Sequence, residues 1–262
     1  MRALVSIFQI TAYYASFVLF ATAALVLNFL CLLAGWFPSS PGRERFFQRV
    51  VHRHFAAFVW WLRVTRIVPV RYVGFERWPR ARGLVVAANH PCLMDIGFML
   101  ARVPEGVCIF KPAIGHNPLF NAIARRAGYI ASDGGHHLLR DAAARIKDGS
   151  TLVIFPEGTR TKGDGLNPLK PGFVAIARLA EVPIQLVRIT CDSSLLTKLG
   201  PPWWQVPRLP ARITVSLGPC LPPPGPDTSA VVEEIAAWFR HQPAAVRAEE
   251  PALEPARVPA QA

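Results

Sequence analysis

An uncharged apolar run near the N-terminus constrains this chain more than any other feature. From Ala3 to Gly42 there is no Asp, Glu, Lys or Arg. The central part, AYYASFVLFATAALVLNFLCLLAGWF, exceeds the roughly 20 residues that a helix needs to cross a bilayer. It is also longer than the apolar core of a cleaved signal peptide, which has about 7 to 15 residues. We therefore predict a membrane-associated helical segment, either a tilted span or a bent hairpin in one leaflet.

The region that follows the apolar run is strongly basic. Residues 43–82 hold ten arginines against Glu44 and Glu76 only, a net charge of +8. Aromatic residues are interleaved with these arginines: Phe46, Phe47, Phe55, Phe58, Trp60 and Trp61. This mixture favours an anionic membrane surface over nucleic acid as the partner, although a merely solvated basic face stays open. By the positive-inside rule, the body of the protein is expected on the cytoplasmic side of the inner membrane.

Changes in composition divide the chain into three parts. The sequence PSSPG at 38–42 ends the first helix, and 43–64 predicts a second helix that lies in the membrane interface. Residues 1–64 are thus predicted to form the N-terminal membrane region. Residues 65–242 are predicted to form an α/β domain. The Pro/Ala/Glu-rich tail at 243–262 is expected to be disordered.

The central part alternates between short apolar runs and helical patterns. Predicted strands cover 68–74, 83–88, 107–110, 151–155, 183–190 and 212–218. Predicted helices cover 94–102, 118–127, 137–147 and 172–179, and an amphipathic helix follows at 229–240. Strands that alternate with helices favour parallel pairing. The expected fold class is α/β, a mostly parallel sheet flanked by helices, with the N-terminal membrane-associated helical segment attached.

The first segment with candidate chemistry is GLVVAANHPCLMD. A buried strand is predicted to end at Asn89-His90, and a helix to begin with Pro91 in its first turn. Helical side chains lean toward the N-terminus, so Asp95 is directed back at His90. Its carboxylate can then hold one imidazole nitrogen and leave the other free as a base. On this pair alone, a capping histidine and a surface aspartate remain the simpler interpretation.

The second such segment is TLVIFPEGTR, where a predicted strand is followed by Glu157, Gly158, Thr159 and Arg160. Gly158 permits close backbone approach, Thr159 can bind an oxyanion, and Arg160 offers a planar fork for phosphate. Lys111 follows another predicted strand. Because ligands bind at the carboxyl ends of parallel strands, these five residues are predicted to bind substrate at one site with the His/Asp pair.

These two segments resemble the signature blocks of the glycerolipid acyltransferases, the family of 1-acylglycerol-3-phosphate acyltransferases. His90-Pro-Cys-Leu-Met-Asp95 resembles the family's His-x4-Asp block, and Phe155-Pro-Glu-Gly-Thr-Arg160 matches its FPEGTR block. The stretches 111–133 and 182–184 look like the second and fourth blocks. The resemblance covers roughly residues 65–220, and the hydrophobic N-terminal helices also look like the family's membrane anchor.

The resemblance implies transfer of an acyl chain from acyl-CoA or acyl-carrier protein to a hydroxyl of a lysolipid. His90 would be the general base, and Asp95 would orient it and stabilise the imidazolium. Glu157, Gly158 and Arg160 would bind the acceptor head group. Attack would be direct, without an acyl-enzyme, and we infer that backbone amides after His90 stabilise the oxyanion. No metal or bound organic cofactor is called for, and the five cysteines have no zinc-site spacing.

One position departs from the family pattern. The family's second block usually ends in an Asp-Arg pair whose arginine is thought to hold the acceptor phosphate, and this chain has Asp133-Gly134. The first choice of acceptor is 1-acylglycerol-3-phosphate, and the alternative is a phosphate-free acceptor such as lyso-ornithine lipid. A non-catalytic protein that binds anionic membranes is a more remote alternative, because a binder needs no His90/Asp95 pair. Cys92 is interpreted as a buried filler rather than an acyl-accepting thiolate.

Overall fold

A seven-stranded sheet forms the centre of the protein, as described by a computed structural model for residues 2–79, 82–133, 137–163 and 165–241. The strands are β1 (Val70–Val73), β2 (Leu84–Ala88), β3 (Gly106–Phe110), β4 (Ile130–Ala131), β5 (Thr151–Ile154), β6 (Ile184–Cys191) and β7 (Ile213–Leu221). Their order is β1-β7-β6-β2-β5-β3-β4. All neighbours pair in parallel except β6 and β7, which are antiparallel. The predicted mostly parallel sheet is confirmed, while β4 was missed because two residues show no period.

Helices cover both faces of this sheet. They are α1 (Arg2–Leu33), α2 (Pro41–Val64), α3 (Asp95–Leu100), α4 (Pro112–Gly115), α5 (Asn121–Arg126), α6 (Leu138–Lys147), α7 (Gly172–Ala180) and α8 (Thr228–Arg240). The central strand β2 is buried throughout, and its residues alternate between two cores. One core includes side chains of α2 and α3, and the other includes side chains of α6, α7 and α8. A strand buried on both faces explains its unbroken apolar sequence.

The apolar run forms one continuous helix, α1, so a hairpin bent within the run is wrong. By length and composition α1 can cross a membrane, and most of it is exposed. One stripe packs on the rest of the protein, from Tyr13 to Cys31. Within that stripe, Asn28 accepts hydrogen bonds from the amides of Ala122 and Ile123, at 2.8 and 3.2 Å, at the start of α5. The helix is therefore joined to the α/β part by polar as well as apolar contacts.

The second predicted helix is present as α2, and Ser40 caps its first turn by accepting from the amide of Arg43. Its Phe58, Val59 and Leu62 side chains belong to the core beneath the sheet. The N-terminal region thus packs against the α/β part, and a domain boundary at residue 64 stays a prediction. The predicted disordered tail at 243–262 lies outside the described residues.

The helix after His90 begins later than predicted. It starts at Asp95, not in the turn that contains Pro91. The intervening residues form a turn because their amides have other acceptors: Cys92 donates to the Asp95 carboxylate, and Leu93 donates to the carbonyl of Leu196. A tertiary contact therefore replaces the first helical turn that the proline indicated.

Candidate active site

His90 and Asp95 form a hydrogen-bonded pair at the carboxyl end of β2. The Nδ1 atom of His90 lies 2.9 Å from Oδ2 of Asp95, which also accepts from the amide of Cys92 at 2.8 Å. The imidazole stacks on the ring of Phe155, with centroids 4.1 Å apart and planes 17° apart. Within the described part of the chain, Nε2 of His90 has no hydrogen-bond partner. The pair thus presents one ring nitrogen that is free to accept a proton.

The burial of Asp95 shifts the pKa of its carboxyl group. The residue is completely buried, at 0% exposure. Burial raises the pKa of Asp95 from 3.8 to about 6, and the hydrogen bond from His90 opposes that rise. The carboxylate is therefore ionised at neutral pH and accepts the proton on Nδ1. The lone pair of the neutral imidazole is then on Nε2, as a general base requires.

Glu157 connects the two signature segments. Its Oε1 accepts from the amide of His90 at 2.9 Å and from the hydroxyl of Thr161 at 2.8 Å. Its Oε2 accepts from the amide of Asn167 at 3.0 Å. Only 3% of the residue is exposed. These three bonds fix the backbone of His90 against the loop after β5, while the predicted contact of Glu157 with a head group stays a prediction.

The rest of the FPEGTR block faces residues that are distant in sequence. Gly158 has φ +67°, and a Cβ there would lie 2.9 Å from Cε of Lys170. Glycine is therefore required both by the left-handed backbone and by this close approach. The hydroxyl of Thr159 accepts from Nζ of Lys198 at 3.0 Å. Nη1 of Arg160 donates to the carbonyl of Leu196 at 2.8 Å.

Lys170 and Lys198 are two cations at the site that sequence reasoning missed. Neither lies in a signature block, and Lys198 belongs to the irregular segment between β6 and β7. No periodicity or motif marks such a position. Lys111, by contrast, was predicted, and it lies exposed after β3, two strands from β2 at the same edge of the sheet. Among the described contacts it forms no hydrogen bond or ion pair with the other predicted site residues, so its role stays a prediction.

The backbone amides of the turn between His90 and Asp95 are engaged within the protein. Those of Cys92, Leu93, Met94 and Asp95 all donate within the protein, to Asp95 Oδ2, Leu196 O, Cys92 Sγ and Cys92 O. Because these four amides already donate, an oxyanion would have to use others near the start of α3, and its stabilisation by backbone amides stays a prediction.

Two other kinds of chemistry, a cysteine nucleophile and a metal centre, involve the same residue types. Cys92 is fully buried, and burial raises the pKa of its thiol well above the usual value. It is therefore held as a neutral thiol, which is a poor nucleophile, as the interpretation of a buried filler requires. Among the residues that the structure describes, no group of three or more His, Cys, Asp or Glu side chains is arranged to hold a metal ion.

Comparison with known proteins matches this geometry to a family. The family model described as Acyltransferase matches residues 69–190, which include the His/Asp pair, the FPEGTR block, strands β1 to β5 and all but the last residue of β6. Residues 69–190 thus resemble an acyltransferase-family domain. The structure of the acyltransferase PlsC from Thermotoga maritima, which acts on 1-acyl-sn-glycerophosphate, has a TM-score of 0.69 to this chain. It covers 92% of this chain and 95% of that one at 21% identity, which establishes a shared fold.

Curated relatives of the acyltransferase domain differ in their acceptors. A 1-acyl-sn-glycerol-3-phosphate acyltransferase from Cocos nucifera is 35% identical over 107 residues, 38% of this chain and 35% of that protein. A lyso-ornithine lipid O-acyltransferase from Rhizobium meliloti is 30% identical over 106 residues, 38% of this chain and 36% of that protein. The chain thus spans little more than a third of these relatives. The domain match, together with the apolar helix α1, indicates membrane association.

Proposed function

We propose that this protein transfers an acyl chain from acyl-CoA or acyl-carrier protein to a hydroxyl of a lysolipid at a membrane surface. The observation that carries the proposal is the His90–Asp95 pair, with Nδ1 bound to a buried carboxylate and Nε2 unpartnered. Thr159 and Arg160 belong to the loop that follows β5, and β5 is the direct parallel neighbour of β2, which precedes His90. A base beside groups that bind anions suits an acceptor with both a hydroxyl and a charged head group.

The residues present support a direct transfer. Nε2 of His90 takes the proton from the acceptor hydroxyl as its oxygen attacks the thioester carbonyl. Asp95 stabilises the imidazolium that results. The tetrahedral adduct then collapses, the carbon–sulfur bond breaks, and the thiolate of the donor leaves with that proton. The buried neutral thiol of Cys92 supports a route without an acyl-enzyme.

The first choice of acceptor is 1-acylglycerol-3-phosphate, supported by the relatives that act on it and by the cations near Thr159. Lyso-ornithine lipid is the second candidate, because a relative of similar identity acts on it. Gly134, where the resemblance leads one to expect an arginine, also favours the second candidate, and this residue lies outside the described ranges.

The proposed setting is the cytoplasmic face of the inner membrane. The long apolar helix α1 supports insertion, and the arginines of residues 43–82 support contact with anionic lipid. Trp203 and Trp204 are both exposed, and their carbonyls accept hydrogen bonds from Tyr13 and Tyr14 of α1. The surface that carries these two tryptophans therefore lies next to α1 and could contact the same membrane.

His90→Ala tests the proposal. The full chain, purified in detergent, is given labelled acyl-CoA or acyl-carrier protein with lysophosphatidate or lyso-ornithine lipid, and the products are identified by mass. The variant is expected to lose about 10²- to 10⁴-fold in rate, because the general base is removed. His137→Ala is the matched control, since His137 is exposed and its side chain makes no capping hydrogen bond at the N-cap position of α6.

Membrane binding is measured on the same variants by flotation with vesicles. His90→Ala is expected to float as the wild type does, since the described contacts of His90 are with Asp95, Glu157 and Phe155 and none is with α1. Transfer at the wild-type rate by His90→Ala would refute the mechanism. Absence of transfer by the wild type to either acceptor from either donor would refute the proposed function and favour a non-catalytic membrane-binding protein.

A further inference from the structure

The segment between β6 and β7, residues 192–212, folds back over the candidate active site. We call it the β6–β7 loop. Leu196 in this loop accepts a hydrogen bond from the amide of Leu93 at 3.1 Å, in the turn between His90 and Asp95. Its neighbour Thr197 forms an isolated antiparallel bridge with Cys92. The loop is thereby attached to the turn that carries the catalytic pair.

The same loop is attached to the FPEGTR block. Nη1 of Arg160 donates to the carbonyls of Leu196 and Thr197, at 2.8 and 3.2 Å. The next residue, Lys198, donates from Nζ to the hydroxyl of Thr159 at 3.0 Å. A lysine and an arginine from distant parts of the sequence are therefore brought to the same short stretch of backbone beside the His/Asp pair.

The loop is built to hold Lys198 in place. Leu195 is buried, which anchors the loop in the core next to β2. Gly200 packs so tightly that a Cβ there would lie 2.4 Å from the carbonyl of Ser194. At its far end, the carbonyls of Trp203 and Trp204 accept hydrogen bonds from α1 at 2.9 and 2.8 Å. Contacts on both sides of Lys198 thus limit its backbone movement.

No direct ion pair neutralises these two cations. Neither Lys198 nor Arg160 takes part in an ion pair among the described residues. The nearest acidic side chain along the loop, Asp192, pairs with Arg212 at 3.3 Å instead. Lys198 is half-buried. Cations without an ion-pair partner that are held beside a base are suited to bind an anion.

We propose that Lys198, together with Arg160, binds the anionic head group of the acceptor lipid. This inference rests on the proposed function and adds a specificity residue to the same site. The chemistry of the ligand is an oxyanion, either a phosphate monoester or a carboxylate, placed near the hydroxyl of Thr159. An ammonium there would hold the head group while the acceptor hydroxyl lies at Nε2 of His90.

The test compares Lys198→Ala, Lys198→Arg and the control Lys147→Ala in the full chain in detergent. Lys147 is exposed on α6 and forms no ion pair among the described residues. The acceptors are lysophosphatidate, which carries a phosphate, lyso-ornithine lipid, which carries a carboxylate and an ammonium, and monoacylglycerol, which carries no charge. KM and kcat are measured for each, and glycerol 3-phosphate is added as a soluble competitor of the head group.

For the anionic acceptor that the wild type prefers, Lys198→Ala is expected to lower kcat/KM about 10- to 100-fold, because a charge-assisted hydrogen bond is lost. Most of that loss is expected in KM, and the inhibition constant of glycerol 3-phosphate should rise by a similar factor if phosphate is the ligand. Lys198→Arg should retain more activity than Lys198→Ala. Any transfer to monoacylglycerol should be unchanged, and Lys147→Ala should match the wild type.

The inference is overturned if Lys198→Ala and Lys147→Ala have the same kcat/KM for the anionic acceptor. It is also overturned if Lys198→Ala lowers kcat alone, or lowers transfer to monoacylglycerol equally, because a general structural role would do that. Thermal unfolding of each variant shows whether the loop still folds. A wild type that acylates no acceptor refutes the proposed function itself, an outcome seen without any variant.

Discussion

Replacing Asp95 with asparagine is expected to separate folding stability from activity. Asp95 is fully buried, and burial raises its pKa from 3.8 to about 6 in the folded protein. Because the folded-state pKa lies above the unfolded value, the carboxyl group favours folding most below about pH 4, and this contribution is lost as the pH rises through about 6. At about 1.4 kcal/mol per pH unit, the ionised carboxylate costs the fold about 3 kcal/mol at pH 8.

Asp95→Asn removes this buried charge, but it introduces an unpaired buried amide group that itself lowers the free energy of unfolding. Its amide oxygen can still accept from the amide of Cys92 and from Nδ1 of His90, as Oδ2 does now. Its NH₂ group takes the position of Oδ1 of Asp95, which has no hydrogen-bond partner. An unpaired buried amide costs about 1–3 kcal/mol. The free energy of unfolding of Asp95→Asn at pH 8 is therefore expected to equal that of the wild type or exceed it by up to about 2 kcal/mol.

Thermal unfolding, followed by tryptophan fluorescence in detergent, measures this difference. The gain of up to about 2 kcal/mol corresponds to at most about 8 °C in Tm for a chain of this size. At pH 5 the advantage of the variant is expected to fall by about 1–2 kcal/mol, because the wild-type carboxyl is then mostly protonated in the folded state. Acyl transfer by the variant should fall about 10²- to 10⁴-fold, since a neutral amide stabilises the imidazolium poorly. A variant that unfolds more easily at pH 8 than the wild type by several degrees, or one that transfers at the full rate, would refute this account.

Two other changes test contacts that hold the site together. Glu157→Gln should lower kcat about 10-fold or more without unfolding the protein. The glutamine NH₂ would face the amide of Asn167, which is also a donor, and the backbone of His90 would lose its fixed position. The control Glu105→Gln, at a partly exposed ion pair, should leave kcat unchanged, and equal effects of the two variants would contradict a positioning role for Glu157. Asn28→Ala should lower the free energy of unfolding by about 1–3 kcal/mol, because the amide of Ile123 loses its acceptor, whereas that of Ala122 keeps Oδ1 of Asn121. Proteolysis between α1 and the rest of the chain should also accelerate. Unchanged unfolding and digestion would contradict that reasoning.

The sheet could be predicted because its signals are local. Runs such as LVVAA in β2 are apolar throughout, which identifies a strand buried on both faces and favours parallel neighbours. The helices α1 and α8 could be predicted for the same reason, because an unbroken apolar run and an amphipathic period are also local signals. The pairing of His90 with Asp95 was also expected, since both belong to one short segment. Even there the local path was wrong, because Pro91 indicated a helical turn where the structure has a turn held by Leu196.

The sequence alone thus determined the class of sheet, the apolar helix and the residues of the two signature blocks, all of which depend on period, composition or short spacing. Only the tertiary structure decided that the Glu157 carboxylate holds the backbone of His90, that α1 packs against α5 through Asn28, and that Lys198 reaches Thr159. These contacts join residues 39 to 94 positions apart, and two of them lie in loops without any repeating pattern. The physical reason is that a loop's path is fixed by which distant donors and acceptors it meets, and nothing in its own sequence specifies them.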